Sequence, residues 1–346
     1  MAGATTLLEV AGTVLADIGG AGVLEPLLQE PLVTDVLVNG PGPVWVDRGV
    51  GLQPSPIRIP DEAAARRLAV RLVTAGGRRL DDASPYADAR LPDGTRVHAV
   101  LPPLSPQGTC ICLRVPPRRT FTLDDLIDAG SLPATGADLL QRLVAARAAI
   151  LLTGGTGSGK TTVLSTLLSS AEPGERLVLV EDAAELRPDH PHVVRLEARA
   201  PNAEGAGGVS LDVLVRQALR MRPDRLVVGE VRGDEVLDLL AALNTGHEGG
   251  CGTVHANRAE HVPARIESLC GRAGVPRAAA HSLLLAAVDA IVHLVRGGDG
   301  RRRIAGIAVL AADPTGHAVV HPAYRFGTET RRGPGAEALD RRLANA

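Results

Sequence analysis

Residues 154–162 read Gly-Gly-Thr-Gly-Ser-Gly-Lys-Thr-Thr and fit the pattern G-x-x-x-x-G-K-[ST]. Glycines let such a loop turn so that its amides face inward, where they can bind phosphate oxygens. Lys160 is the one lysine among 37 Lys and Arg residues, and its slim stem suits a tight loop better than a planar guanidinium does. We expect Lys160 to reach the β- and γ-phosphates of ATP and the Thr161 hydroxyl to bind Mg²⁺. The predicted nucleotide-binding residues are Gly154, Gly155, Thr156, Gly157, Ser158, Gly159, Lys160, Thr161 and Thr162.

Two carboxylates and a histidine follow short apolar runs of the kind that form buried strands. Glu181 follows Leu177–Val180, Glu230 follows Leu226–Val228, and His255 ends Thr253–His255. Residues at the carboxyl ends of parallel strands lie at the edge where such sheets bind ligands. The carboxylates could position a water or a metal ion, and the histidine could sense a phosphate. The alternatives are solvated strand ends and a structural histidine.

A further basic segment has two readings. Residues 210–222 have helical spacing, with Arg216, Arg220 and Arg222 off the apolar face. These arginines either form a solvated surface or contact a subunit or a phosphate.

The elements that must position these residues alternate between strand and helix after about residue 137. That rhythm predicts an α/β domain with a parallel sheet over residues 137–326, ending in three antiparallel runs. Residues 1–120 predict a smaller α+β domain, with a helix at 7–18 and several short strands around a second helix. Residues 121–136 are the predicted linker, and the polar residues 327–346 a flexible tail.

Composition excludes several classes of protein. The net charge of −2 and five scattered aromatic residues disfavour direct nucleic-acid binding. None of the four cysteines lies in a C-x-x-C pair, so a zinc ribbon is not predicted and a reducing compartment is expected. No signal peptide or membrane span is predicted, so any membrane association is expected to be peripheral.

Four ordered motifs together resemble the type II/type IV secretion ATPase superfamily. They are the glycine loop, Val180-Glu181-Asp182, Val227-Val228-Gly229-Glu230 and Thr253-Val254-His255-Ala256-Asn257. The segments 218–225, 229–233, 244–247, 38–41 and 91–97 match as well. The branch most similar is that of the Tad/Flp pilus-assembly (CpaF/TadA-type) motors. Gly252 and Val115 depart from the family's pattern.

This resemblance implies a RecA-like P-loop NTPase core behind an N-terminal domain, assembled as a homo-hexamer. ATP and Mg²⁺ would bind between the domains, with Glu181 activating water and Glu230 linked to Mg²⁺, or the reverse. Arg96 and Arg114 match arginines of the first domain that close over the phosphates. The implied partners are inner-membrane platform proteins of a pilus or secretion system, contacted from the cytoplasm.

Three functions compete. The leading one is a motor that hydrolyses ATP to power pilus assembly or protein secretion. The second is a secretion ATPase that serves conjugative DNA transfer, and the third is a scaffold that binds nucleotide without hydrolysing it.

Overall fold

The computed structural model describes residues 20–49, 51–116, 119–199, 201, 206–246 and 249–344. It divides the chain into two compact units, Met1–Arg118 and Arg119–Ala346. The predicted helix at residues 7–18 and the motif residue His247 lie outside the described residues. In the part of the chain that is described, we find no helix both long and apolar enough to cross a membrane.

The first unit is an antiparallel sheet of six strands with its core against one helix. A short helix, α1 (Glu25–Leu28), precedes the sheet, and α2 (Glu62–Ala75) follows its third strand. Asp61 caps α2 by accepting a hydrogen bond from the Ala64 amide, and the apolar side of α2 is buried. The sheet order is β3-β2-β1-β6-β5-β4. Its strands are β1 (Asp35–Asn39), β2 (Gly42–Asp47), β3 (Leu52–Ile59), β4 (Tyr86–Arg90), β5 (Arg96–Val100) and β6 (Cys110–Arg114). The small α+β domain predicted from the sequence is therefore confirmed.

The second unit is built on a nine-stranded sheet. Its order is β15-β14-β13-β12-β7-β11-β10-β8-β9, in which β12, β7, β11, β10, β8 and β9 run parallel and the others antiparallel. The strands are β7 (Ile150–Gly154), β8 (Leu177–Glu181), β9 (Val193–Glu197), β10 (Arg225–Val231), β11 (Cys251–His255), β12 (Ala290–Arg296), β13 (Arg302–Ala312), β14 (Ala318–Arg325) and β15 (Arg331–Arg332). The helices are α3 (Leu123–Asp128), α4 (Ala134–Ala145), α5 (Lys160–Ser169), α6 (Leu211–Ala218), α7 (Glu235–Asn244), α8 (Val262–Arg272), α9 (Arg277–Ala287) and α10 (Ala336–Ala344). The predicted α/β domain is confirmed, with one correction: of the three runs predicted to be antiparallel, β12 extends the parallel sheet beside β7, and β13 and β14 form the antiparallel addition.

Burial explains why the central strands read as continuous apolar runs. Every residue of β7 and of β8 is buried, because helices cover both faces of the parallel sheet. Strand β7 lies between β11 and β12, so the loop that follows it leaves the sheet at its centre. Since β8, β10 and β11 run parallel to β7, their carboxyl ends lie at the same edge.

Residues 327–346 differ from the flexible tail that their polarity predicts. They contain β15, which pairs with β14, and α10, whose Leu339 is fully buried. The Tyr324 hydroxyl donates to Asp340 Oδ1 at 2.8 Å and ties α10 to β14. The segment has a polar composition because one narrow apolar side of α10 is enough to pack the helix against the domain. Helix α3 lies within residues 121–136, at a position where the sequence also predicts a helix, and Thr122 and Asp125 form a capping box at its start.

Candidate functional site

The glycine loop joins β7 to α5 at the carboxyl edge of the parallel strands. Gly157 and Gly159 have φ of +70° and +97°, a region that favours glycine. A Cβ on Gly154 would lie 2.5 Å from Ser158 Oγ and 2.6 Å from the Leu294 carbonyl oxygen, so no side chain fits there. Helix α5 begins at Lys160, so its N-terminal amides and positive dipole end face the loop. The geometry suits an anion such as phosphate.

Lys160 lies inside this loop. Its side chain is 7 % exposed, and Nζ donates to the carbonyl oxygens of Gly154 and Gly155, each at 3.0 Å. His255 Nδ1 is 3.5 Å from the same Nζ. Burial lowers the pKa of Lys160. A phosphate oxygen would compete with two neutral carbonyls for this ammonium, an exchange that favours the charged partner.

Glu230 and His255 meet at the ends of β10 and β11. His255 Nε2 lies 2.5 Å from Glu230 Oε1, and Arg232 donates to Glu230 Oε2. Burial alone would raise the pKa of Glu230, but the Arg232 hydrogen bond and the charges of His255, Arg232 and Lys160 lower it. Burial and the Lys160 charge lower the pKa of His255. The structure therefore brings together three of the predicted site residues, Lys160, Glu230 and His255.

Glu181, at the end of β8, is in a different environment. It is 4 % exposed, and Oε1 accepts hydrogen bonds from the Glu185 and Leu186 amides, both at 2.9 Å. Its Oε2 is buried and has no hydrogen-bond partner among the described residues. Burial raises the pKa of Glu181. A Cβ on Gly229 would lie 2.6 Å from Glu181 Cγ, so the neighbouring strand needs glycine there. A carboxylate with a raised pKa and one free oxygen suits proton transfer.

Oxygen atoms that could bind a metal ion lie at the first turn of α5. The Thr161 hydroxyl donates to Glu185 Oε2 at 3.4 Å. Among the described residues, no three His, Cys, Asp or Glu side chains form a metal cluster by themselves. Mg²⁺ usually takes one or two carboxylates and completes its shell with water and phosphate oxygens. A hydroxyl and nearby carboxylates fit Mg²⁺ delivered with a nucleotide.

Arg96 and Arg114 lie in the first unit. They are direct partners across β5 and β6, so both side chains leave the same face of the sheet. Arg114 Nε is 3.3 Å from Asp35 Oδ1. That these arginines act on phosphates stays a prediction.

Three residues of the site were not predicted from the sequence. Arg232 follows Glu230 by two positions and lies within the matched segment 229–233, whereas Glu185 follows Glu181 by four positions and lies just beyond the motif Val180-Glu181-Asp182. A charged side chain a few positions from a predicted site residue was the signal that could have identified both of them. Arg302, which donates to the Gly157 carbonyl, is 145 positions away and has no such signal. Arg216, in contrast, pairs with Asp212 and Asp238 on the surface, which agrees with the solvated reading of that helix.

Comparisons with known proteins agree on one family. A family model described as "Type II/IV secretion system protein" matches residues 18–321. A protein of Mycobacterium tuberculosis strain H37Rv, provisionally named a conjugal transfer protein, is 55% identical over 316 residues, which are 90% of either chain. The type IV secretion system protein PtlH homolog of Bordetella bronchiseptica is 34% identical over 309 residues, 81% of this chain and 91% of the relative. The solved structure of the Legionella pneumophila ATPase DotB shares the fold, with a TM-score of 0.58 at 20% identity over 83% of this chain and 79% of that one.

Proposed function

Because this chain belongs to the type II/IV secretion system protein family, we propose that it hydrolyses ATP to drive a secretion or pilus apparatus. The observation that carries this proposal is Lys160 inside the glycine loop, with its Nζ 3.5 Å from His255 Nδ1 and His255 in turn against Glu230. A buried cation, a partly buried carboxylate and a helix N-terminus meet at one sheet edge. This combination serves phosphate binding and water activation.

Each side chain has a separate task in this proposal. Lys160 and the loop amides bind the β- and γ-phosphates and neutralise charge that develops during transfer. Glu181 accepts a proton from the attacking water, since its Oε2 has no partner among the described residues and its pKa is raised. Glu230, held ionised by Arg232 and Lys160, orients the metal side of the site. The opposite assignment of Glu181 and Glu230 remains the alternative.

Thr161 would hold Mg²⁺ together with Glu185, whose Oε2 is 3.4 Å from the Thr161 hydroxyl, or with Glu230. When bound, this ion neutralises charge on the β- and γ-phosphate oxygens. We propose that Arg96 and Arg114 add positive charge at the phosphates, as the family resemblance implies.

The wider setting follows from the family. We propose a homo-oligomer, a hexamer by the resemblance, at the cytoplasmic face of the inner membrane. Its partners would be platform proteins of that membrane, and the Tad/Flp branch remains our preferred assignment within the family. The DotB likeness, at low identity, supports the fold alone.

The first experiment measures phosphate release by the purified protein with Mg²⁺ and ATP. We expect turnover that Lys160→Ala abolishes, while Arg216→Ala, a surface arginine on α6, leaves it near the wild-type rate. Absence of any turnover that depends on Lys160 contradicts the motor. If Glu181→Gln and Glu230→Gln both leave cellular function intact while Lys160→Ala destroys it, the non-hydrolysing scaffold is the better description.

A second candidate function has its own support. The Mycobacterium tuberculosis relative, 55% identical, carries a name that refers to conjugal transfer. A motor for DNA transfer would be stimulated by DNA in a salt-dependent way. Loss of DNA transfer in a gene deletion, with pilus assembly and secretion intact, would favour this candidate, and the reverse outcome would favour the first.

A further inference from the structure

Arg302, at the start of β13, contacts the glycine loop from outside. Its Nε donates to the Gly157 carbonyl oxygen at 3.0 Å. Its stem covers the next turn of the loop, since a Cβ on Gly159 would lie 3.4 Å from Arg302 Cδ. In the described part of the chain, this is the one hydrogen bond recorded for the Arg302 side chain.

The position of Arg302 is set by the antiparallel addition to the sheet. Leu294 of β12 is the register partner of Gly154 at the end of β7. Arg302 is the register partner of Arg296, two residues further along β12. The hairpin of β12 and β13 therefore carries Arg302 past the end of β7 and against the loop.

The contact fixes the orientation of one peptide group. The Gly157 carbonyl and the Ser158 N–H belong to the same planar trans peptide, so they point in opposite directions. The Ser158 N–H donates to the Gly155 carbonyl oxygen at 3.3 Å, and Lys160 Nζ donates to that same oxygen. While Arg302 holds the carbonyl outside, the Ser158 N–H faces the interior of the loop beside the Lys160 ammonium.

We propose that Arg302 is a positioning residue that keeps the Gly157–Ser158 peptide turned so that its N–H faces the phosphates of ATP. This inference rests on the proposed binding of ATP. This role of Arg302 makes the antiparallel addition, which follows the parallel core in sequence, part of the nucleotide site. Movement of that hairpin would change the affinity for nucleotide through this contact.

The test replaces Arg302 by methionine, which keeps an unbranched stem over Gly159 and removes the donor. Arg301→Met is the matched control, because it removes the same charge one residue earlier. The first measurement is amide hydrogen exchange of peptides that span residues 154–160. We expect faster exchange there in Arg302→Met and not in Arg301→Met, with Arg302→Lys retaining much of the protection because its ammonium can also donate to the carbonyl. The melting temperature shows whether a change is global.

The second measurement is the dissociation constant of a fluorescent ATP analogue. We expect about tenfold weaker binding for Arg302→Met, as for loss of a partly exposed hydrogen bond from a charged donor, and near wild-type binding for Arg301→Met. Exchange at 154–160 that matches the wild type overturns the inference, as does an unchanged dissociation constant. If the wild-type protein does not bind ATP, the proposed function fails, and the exchange measurement still decides whether Arg302 holds the loop.

Discussion

Lys160→Arg is the substitution that most directly tests why the chain has its one lysine at this position. It conserves the charge and follows the composition of the rest of the chain, in which the basic residues are arginines. The Lys160 ammonium has two carbonyl oxygens at 3.0 Å and His255 Nδ1 at 3.5 Å. A guanidinium is planar and wider, so it must displace the loop or the histidine.

The size of the effect follows from this crowding. Overpacking a closely packed site costs typically about 1–3 kcal/mol. Loss of one positioned donor to the transition state lowers turnover by roughly 10²–10³-fold. We therefore expect Lys160→Arg to reduce kcat at least about a hundredfold and to lower the free energy of unfolding by no more than about 1–3 kcal/mol.

The assay is steady-state phosphate release at saturating Mg²⁺ and ATP, with nucleotide binding measured separately. Arg216→Lys is the matched control: it makes a basic exchange at an exposed ion pair, where little effect is expected. A Lys160→Arg protein that retains turnover within a few-fold of the wild type would refute the steric reasoning. The lysine would then reflect composition and not geometry.

Three further predictions concern the carboxylates, a buried ion pair and the C-terminal helix. A base must be ionised, so kcat/KM falls as pH drops through the pKa of that base. In the His255→Gln protein, which removes the imidazole titration, we expect this fall above pH 4.5, because burial raises the pKa of Glu181 from that value, and a fall below pH 4.5 would contradict Glu181 as the base. Arg225→Met should lower the free energy of unfolding by about 3 kcal/mol in denaturant titrations, because buried Glu175 would then pair only with the half-exposed Arg147. A smaller loss for Arg225→Met than for Arg147→Met would contradict this prediction. Deleting residues 327–346 should lower the free energy of unfolding by about 3 kcal/mol or more in the same titrations, since the deletion removes the fully buried Leu339. An unchanged midpoint would mean that helix α10 contributes no stability.

The parts of the fold that could be predicted are those that depend on local spacing. The apolar runs before Glu181, Glu230 and His255 predicted strands β8, β10 and β11, because a buried parallel strand is apolar on both faces. Their shared direction then placed the three side chains at one edge. The glycine loop was predictable because its φ values and close approaches tolerate few other residues.

The parts that could not be predicted depend on contacts between distant segments. Whether an arginine pairs on the surface or reaches a loop is decided by strand order, and the pairing of β12 with β7, which brings the hairpin of β12 and β13 beside the glycine loop, joins segments that are distant in sequence. The contact of Arg302 with Gly157 follows from that order. Helix α10 was missed for a similar reason, because docking by a few apolar residues leaves a polar composition.

The two neighbours of His255 favour one tautomer of its ring. A neutral imidazole has one donor and one acceptor nitrogen. Because the Lys160 ammonium can only donate, its 3.5 Å contact favours Nδ1 as the acceptor, and this favours a proton on Nε2, which lies 2.5 Å from Glu230 Oε1. The lowered pKa of His255 agrees with this neutral form. The ring thus connects the cation proposed to touch phosphate with the carboxylate at the end of β10. If Lys160 turns towards a phosphate, Nδ1 loses its donor and the preference for this tautomer weakens, so that the change reaches the Glu230 carboxylate, 2.5 Å from Nε2.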